Sequence, residues 1–240
     1  MTTTRSELIS IPVPEETSHY KPVSSALIFD TIDQFVSYKG LHLRKEEFDT
    51  KQKGEVQRMR FHFDTGNPKF GFQVAVLNSY NKTLSLRCGG GAISWICYNL
   101  QIMAPYKLQE RHVTDVREDM HEFFKGIFDL QTSQVTNAQT IWNAFDYVNL
   151  TRREMAELAG RAIFEENLLI PEQVSKIRKE LEEPSFKYDY NPESLNSLYQ
   201  HFTHAIKDTH PFNYFQTQQS VQGFFIDAYE EITKNKLILA

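Results

Sequence analysis

The hydrophobic positions change period along the chain, and each change marks a change of element. From Ser24 the spacing is helical: Leu27, Ile28, Ile32, Phe35 and Val36 recur three and four residues apart. Ser24 or Ser25 can cap the start, and Gly40 marks the stop. Further on the period shortens to two. Val56, Met59, Phe61 and Phe63 lie among Gln, Arg and His, which reads as a half-buried strand. Phe70, Phe72, Val74 and Val76 alternate strictly after the turn Asp64-Thr65-Gly66-Asn67-Pro68. Leu84 and Leu86 alternate after the turn Asn78–Lys82, and Ile93, Trp95 and Cys97 continue the pattern. Residues from about 41 to 113 therefore hold four or five strands.

After Thr114 the period lengthens again. Val116, Met120, Phe123, Phe124, Ile127 and Phe128 form a helical stripe, with Asp115 and Asp119 in the first turn. Helices are predicted over about 137–148, 151–167, 171–183, 192–208 and 217–234. Thr151 with Glu154 makes a capping box, and Pro171 suits a first helical position. Strands followed by helices define an α+β fold: an N-terminal helix and antiparallel sheet, then a helical C-terminal half. The organisation read from this is an extended arm over 1–22, a β-rich module over 23–130 and a helical region over 131–240 packed on it as one compact unit. The arm is expected to be extended because it is polar and carries Pro12, Pro14 and Pro22.

Composition adjusts this picture only a little. The chain has 240 residues, 40% hydrophobic and 13% aromatic, which is globular rather than disordered. The aromatics exceed what a minimal core needs, so some can serve a surface. Net charge is −5, so no overall basic field draws in nucleic acid, and any such binding needs a local patch. Two cysteines make no disulfide framework, the N-terminus has no signal-like apolar stretch and no apolar run spans a bilayer. A cytoplasmic protein with reduced thiols is the expectation.

Candidate chemistry is sparse. Gly89-Gly90-Gly91 follows a strand but leads into another strand, not a helix, so it is neither a dinucleotide fingerprint nor a P-loop. Such glycines suit a bulge or a close approach of backbone. Cys88 and Cys97 lack a ligand set for zinc and read as small buried hydrophobes. His201 and His204 share a helix face but lack the HExxH arrangement, and exposed polar positions explain them. No nucleophile elbow is present, so no catalytic residue, metal or cofactor is assigned, and binding is favoured over catalysis. The basic residues carry more. Arg58 and Arg60 point the same way on one strand, and Lys69 and Arg87 lie on later ones. This face reads either as a platform for nucleic-acid phosphates or as an ordinary solvated sheet face.

A resemblance enters on several short motifs. Val13-Pro14, Thr17 and Tyr20-Lys21-Pro22-Val23 form the first. Asn78-Ser79-Tyr80, Ser85-Leu86-Arg87, Gly91 and Cys97-Tyr98-Asn99 form the central one. Arg111-His112 and Leu198-Tyr199-Gln200-His201-Phe202-Thr203 follow. Together they resemble the DUF932 family of phage- and plasmid-encoded proteins, over about residues 13–205. The chain departs from that pattern at Leu100 and Gln200. The resemblance implies a bacteriophage or mobile-element context in a bacterial cytoplasm, with Asn78, Cys97, Asn99 and His112 as structural and polar anchors. Two binding functions follow: a nucleic-acid-binding protein supporting phage DNA metabolism, with Arg58, Arg60, Arg87 and Lys69 as contacts, or a counter-defence protein that inhibits a host protein. Homo-oligomerisation is left open.

Overall fold

The computed structural model describes residues 3–95, 100–101, 107–110, 116–185, 191–210 and 213–238. Its contacts form two compact units, Met1–Ala92 with Met103–Val135, and Ile93–Ile102 with Thr136–Ala240. The α+β order expected from the sequence is present: a helix, an antiparallel sheet, then helices.

In the first unit, α2 (Ser25–Lys39) starts where the pattern places it. Ser24 accepts from the Leu27 amide, and Gly40 closes the helix in the left-handed conformation at φ 61°. The sheet follows as β1 (His42–Lys51), β2 (Val56–Asp64), β3 (Phe70–Ser79) and β4 (Leu86–Ser94), in spatial order β1-β2-β3-β4. The short β6 (Lys107–Glu110) pairs antiparallel with β4, and β5 (Leu100–Gln101) follows β4 in the strand order.

One sheet face carries the aromatic core. Phe29 of α2 meets Phe48 and Phe61 edge-on, at centroid separations of 5.4 and 6.0 Å. The helix α3 (Arg117–Asp129) adds Phe128 against Phe63 at 5.1 Å. Met120, Phe124, Ile127 and Phe128 are buried as the helical stripe predicts, while Phe123 is half-buried.

The triple glycine has a packing role. A Cβ on Gly90 would lie 2.3 Å from Cδ1 of Ile127 and 3.1 Å from the Gln73 carbonyl oxygen. Only a residue without a side chain lets α3 come this close to β4. Cys88, two residues earlier on the strand, is a buried free thiol, and burial pushes its pKa well above the ordinary value.

The N-terminal segment differs from the extended arm expected. Arg5–Ser10 form a helix, α1, because Thr4 and Glu7 make a reciprocal capping box that outweighs the prolines further on. Arg5 fixes it, bonding Asp33 at 2.7 Å and Glu46 at 2.8 Å while lying 4.7 Å over the Phe29 ring. The second unit holds the rest of α4 (Gln131–Asp146), α5 (Arg152–Gly160), α6 (Pro171–Glu182), α7 (Leu195–Ala205) and α8 (Tyr214–Ile238). α4 begins earlier than predicted, with Leu130 alone between it and α3. α5 ends at Gly160, and Arg161–Glu165 continue as a π-helical turn. α7 is buried throughout except at His204, and its Tyr199 and Phe202 meet Phe225 of α8 at 5.2 Å each.

Candidate functional site

The basic pair of β2 sits in a different setting from either sequence reading. The register of β1 on β2 places Asp49 opposite Arg58 and Glu47 opposite Arg60. Asp49 Oδ2 accepts from Arg58 Nε and from Arg60 Nη2, both at 2.9 Å. Arg60 also lies 3.6 Å from Glu47, whose Oε2 accepts from His62 Nε2 at 3.1 Å. Arg58 and Arg60 are only 5% and 7% exposed. The strand expected to be half-buried is therefore buried on both faces, and the expectation of a solvated face is corrected. The physical reason is cross-strand neutralisation: each cation meets a carboxylate of β1, so it can leave water without remaining unpaired. The bond from His62 holds the Glu47 carboxyl well below its usual range, and burial pushes the His62 pKa down.

Lys69 and Arg87 do not join this pair. Lys69 is exposed in the turn before β3, and Arg87 is half-buried at the start of β4 with its Nε 3.4 Å from Ser85 Oγ. Gly90 lies beside Gln73, which sets Arg87 about seven residues along the sheet from Lys69, roughly 23 Å away.

Asn78 is buried on β3. Its Nδ2 donates to the Val23 carbonyl at 2.8 Å, and Tyr20 donates through its hydroxyl to the Tyr80 carbonyl at 3.1 Å. Tyr80 in turn accepts from the Ser25 amide at 3.0 Å. Two separated motifs, Tyr20–Val23 and Asn78–Tyr80, thus meet in one buried network. Cys97, Asn99 and His112 lie outside the described residues.

His201 and His204 are not on an exposed face. His201 is buried, and both face the buried Glu180 of α6, at 3.7 and 3.6 Å. Ser185 donates to Glu180 through its amide at 3.1 Å and also through its hydroxyl. Burial pushes both histidine pKa values down; Ser185 and the histidines hold Glu180 below the ordinary carboxylate value against its own burial. Ser197 Oγ lies 3.4 Å from His201 Nε2, giving a Ser-His-Glu sequence of contacts. The serine itself is buried.

Hollows open on the surface among the described residues. One, of about 520 Å³, lies among α6, α7 and α8. Its buried polar groups are satisfied within the chain: Gln173 accepts from the Ile170 amide at 3.0 Å and donates to Thr209 at 2.9 Å. Another, of about 400 Å³, is a groove between α2 and α3 lined by Gln34, Phe35, Tyr38, Lys39, His121 and Lys125. Phe35 is its floor. That ring is buried against Phe128 at 5.7 Å and carries the His121 ring at 4.7 Å, so the floor is continuous with the core. Tyr38 stands beside it, 81% exposed. Lys39 is ion-paired with Asp129, whereas Lys125 has no hydrogen bond or ion pair among the described residues.

Sequence reasoning missed this groove. Its only signals were the surplus of aromatic residues and a tyrosine in the last turn of α2, where the helix has run past its buried stripe. Comparison of the chain with protein-family models, curated proteins and solved structures finds no match.

Proposed function

We propose that the protein acts by binding another protein, with the groove between α2 and α3 as the contact. The observation that carries this reading is Tyr38, a large ring held in solvent beside an apolar floor. Exposed aromatics over a pocket are the anchors from which protein interfaces draw most of their energy. Charge supports a protein over a nucleic acid. Asp30 and Asp33 outnumber Lys39 on α2, and Glu118, Asp119, Glu122 and Asp129 outnumber Arg117 and Lys125 on α3. A polyanion would meet repulsion from the exposed Glu118, Asp119 and Glu122 of α3. The β2 arginines, the best phosphate contacts in the sequence, are already paired with Asp49 and Glu47. A counter-defence or host-takeover role in a mobile element is the form of this reading that agrees with the DUF932 resemblance.

The test is capture from a bacterial lysate, with and without nuclease, with wild type and Tyr38→Ser side by side. A partner held by wild type and lost with Tyr38→Ser supports the reading. Capture that vanishes on nuclease treatment, or that is equal for both proteins, overturns it.

A further inference from the structure

The side chains that line the groove carry cations and no carboxylate. Lys39, Lys125 and His121 surround Phe35 and Tyr38. His121 and Lys125 are one turn apart on α3, so their polar ends reach the same stretch of the rim. Lys125 has nothing to neutralise it among the described residues, and Lys39 is already paired with Asp129. The rim therefore offers one uncompensated cation and one imidazole beside an aromatic surface. Just outside it, on the same stripe of α3, stand Glu118 and Glu122, while Asp129 is taken up by Lys39.

This pattern selects a ligand by charge and spacing. A chain with many anionic groups would place some of them against the flanking acids. A chain with a basic group beside its apolar anchor would set cation against Lys125. A single carboxylate next to an apolar side chain meets neither penalty. We infer that the partner presents an acidic protein segment, with an apolar side chain seated on Phe35 and Tyr38 and a neighbouring carboxylate at Lys125 and His121. The inference rests on the protein-binding reading and adds the chemistry of the partner to it.

The test uses the full chain and fluorescence polarisation with pools of short labelled peptides. Each pool has one phenylalanine or leucine, flanked by glutamate in one pool and by lysine in the other, with the remaining positions varied. A single-stranded oligonucleotide serves as a third probe. The glutamate pool is expected to bind at least about fivefold tighter than the lysine pool, a modest factor because the charge contact is exposed. Lys125→Glu is expected to invert that preference. Tyr38→Ser is expected to weaken the better pool by about tenfold, as loss of an aromatic anchor does. Lys125 and Tyr38 are exposed, so unchanged thermal melting of both variants confirms that binding, and not folding, is being read.

Equal binding of both pools, or tighter binding of the lysine pool, overturns the acidic segment while leaving protein binding in place. No binding of either pool also overturns it, and the lysate capture then judges the parent reading by itself. Self-association that depends on Tyr38 overturns it in favour of a second copy of this chain. Oligonucleotide binding lost in Tyr38→Ser overturns both levels together.

Discussion

Asp49 holds Arg60 through a 2.9 Å bond from Nη2 to Oδ2, and the same oxygen takes Arg58 at the same distance. One carboxylate on the sheet edge thus bonds two buried guanidinium groups of the next strand, and Glu47, 3.6 Å from Arg60, supplies the second negative charge. Asp49→Asn keeps the shape and removes the charge. Breaking a fully buried pair costs about 3–5 kcal/mol, but the Asp49 side chain is 38% exposed and water takes up part of the loss, so about 1–3 kcal/mol is expected. Urea denaturation of the two proteins measures it, and an unchanged midpoint would show that the arginines do not depend on Asp49.

Gly90 and Ile127 define the approach of α3 to the sheet. Gly90→Ala puts a methyl group into the space of Cδ1 of Ile127. Overpacking of this kind costs about 1–3 kcal/mol. Ile127→Val removes the atom in conflict, so the double variant is expected to recover part of the stability that Gly90→Ala loses. Additive effects in the double-mutant cycle would mean the contact is not the cause.

Much of the fold was legible in the sequence because local signals agreed with tertiary ones. Ser24 and Gly40 bound α2, Thr151 starts α5 and the Phe124–Phe128 stripe packs where its period points. α1 was missed because the segment was read as extended from its polarity and prolines, and the capping box of Thr4 and Glu7 was not part of that reading. Burial of Arg58, Arg60 and His62 was missed for a different reason. Their partners Glu47 and Asp49 are remote in sequence and become neighbours only through the β1–β2 register. The same holds for His201 and Glu180, which come from different helices. The groove at Tyr38 could not be read from either helix by itself, since it exists only where α2 meets α3.

Acid should destabilise the protein. Burial lowers the folded pKa of His62, His201 and His204, so below the unfolded value of about 6.5 the unfolded chain binds more protons than the folded one. Stability is therefore full above that value and falls as pH drops through it. Glu180 and Glu47 are held below their ordinary value, which extends the loss below about pH 4.5 with the same sign. The urea midpoint is expected to fall between pH about 7.5 and about 5.5, and His201→Asn is expected to flatten that fall. A midpoint that rises on acidification would contradict this placement of the histidines.

Phe124 and Tyr38 should separate stability from binding. Phe124 is fully buried, and Phe124→Ala is expected to cost about 3–5 kcal/mol. Tyr38→Ser, on an exposed ring, is expected to change stability by no more than about 0.5 kcal/mol. Thermal melting decides it. A large loss in the Tyr38 variant would make that ring part of the core and remove it as a contact.

The central claim, that this chain binds protein and not nucleic acid, is tested most directly by titrating wild type into labelled single-stranded and duplex DNA. Anisotropy is followed at about 50 mM and about 200 mM salt, where phosphate contacts differ most. The account predicts no saturable binding at either concentration. Saturable binding whose salt slope flattens by roughly 0.7–0.9 for each of Arg58→Ala and Arg60→Ala would contradict it, since those side chains would then be reaching phosphate in spite of Asp49.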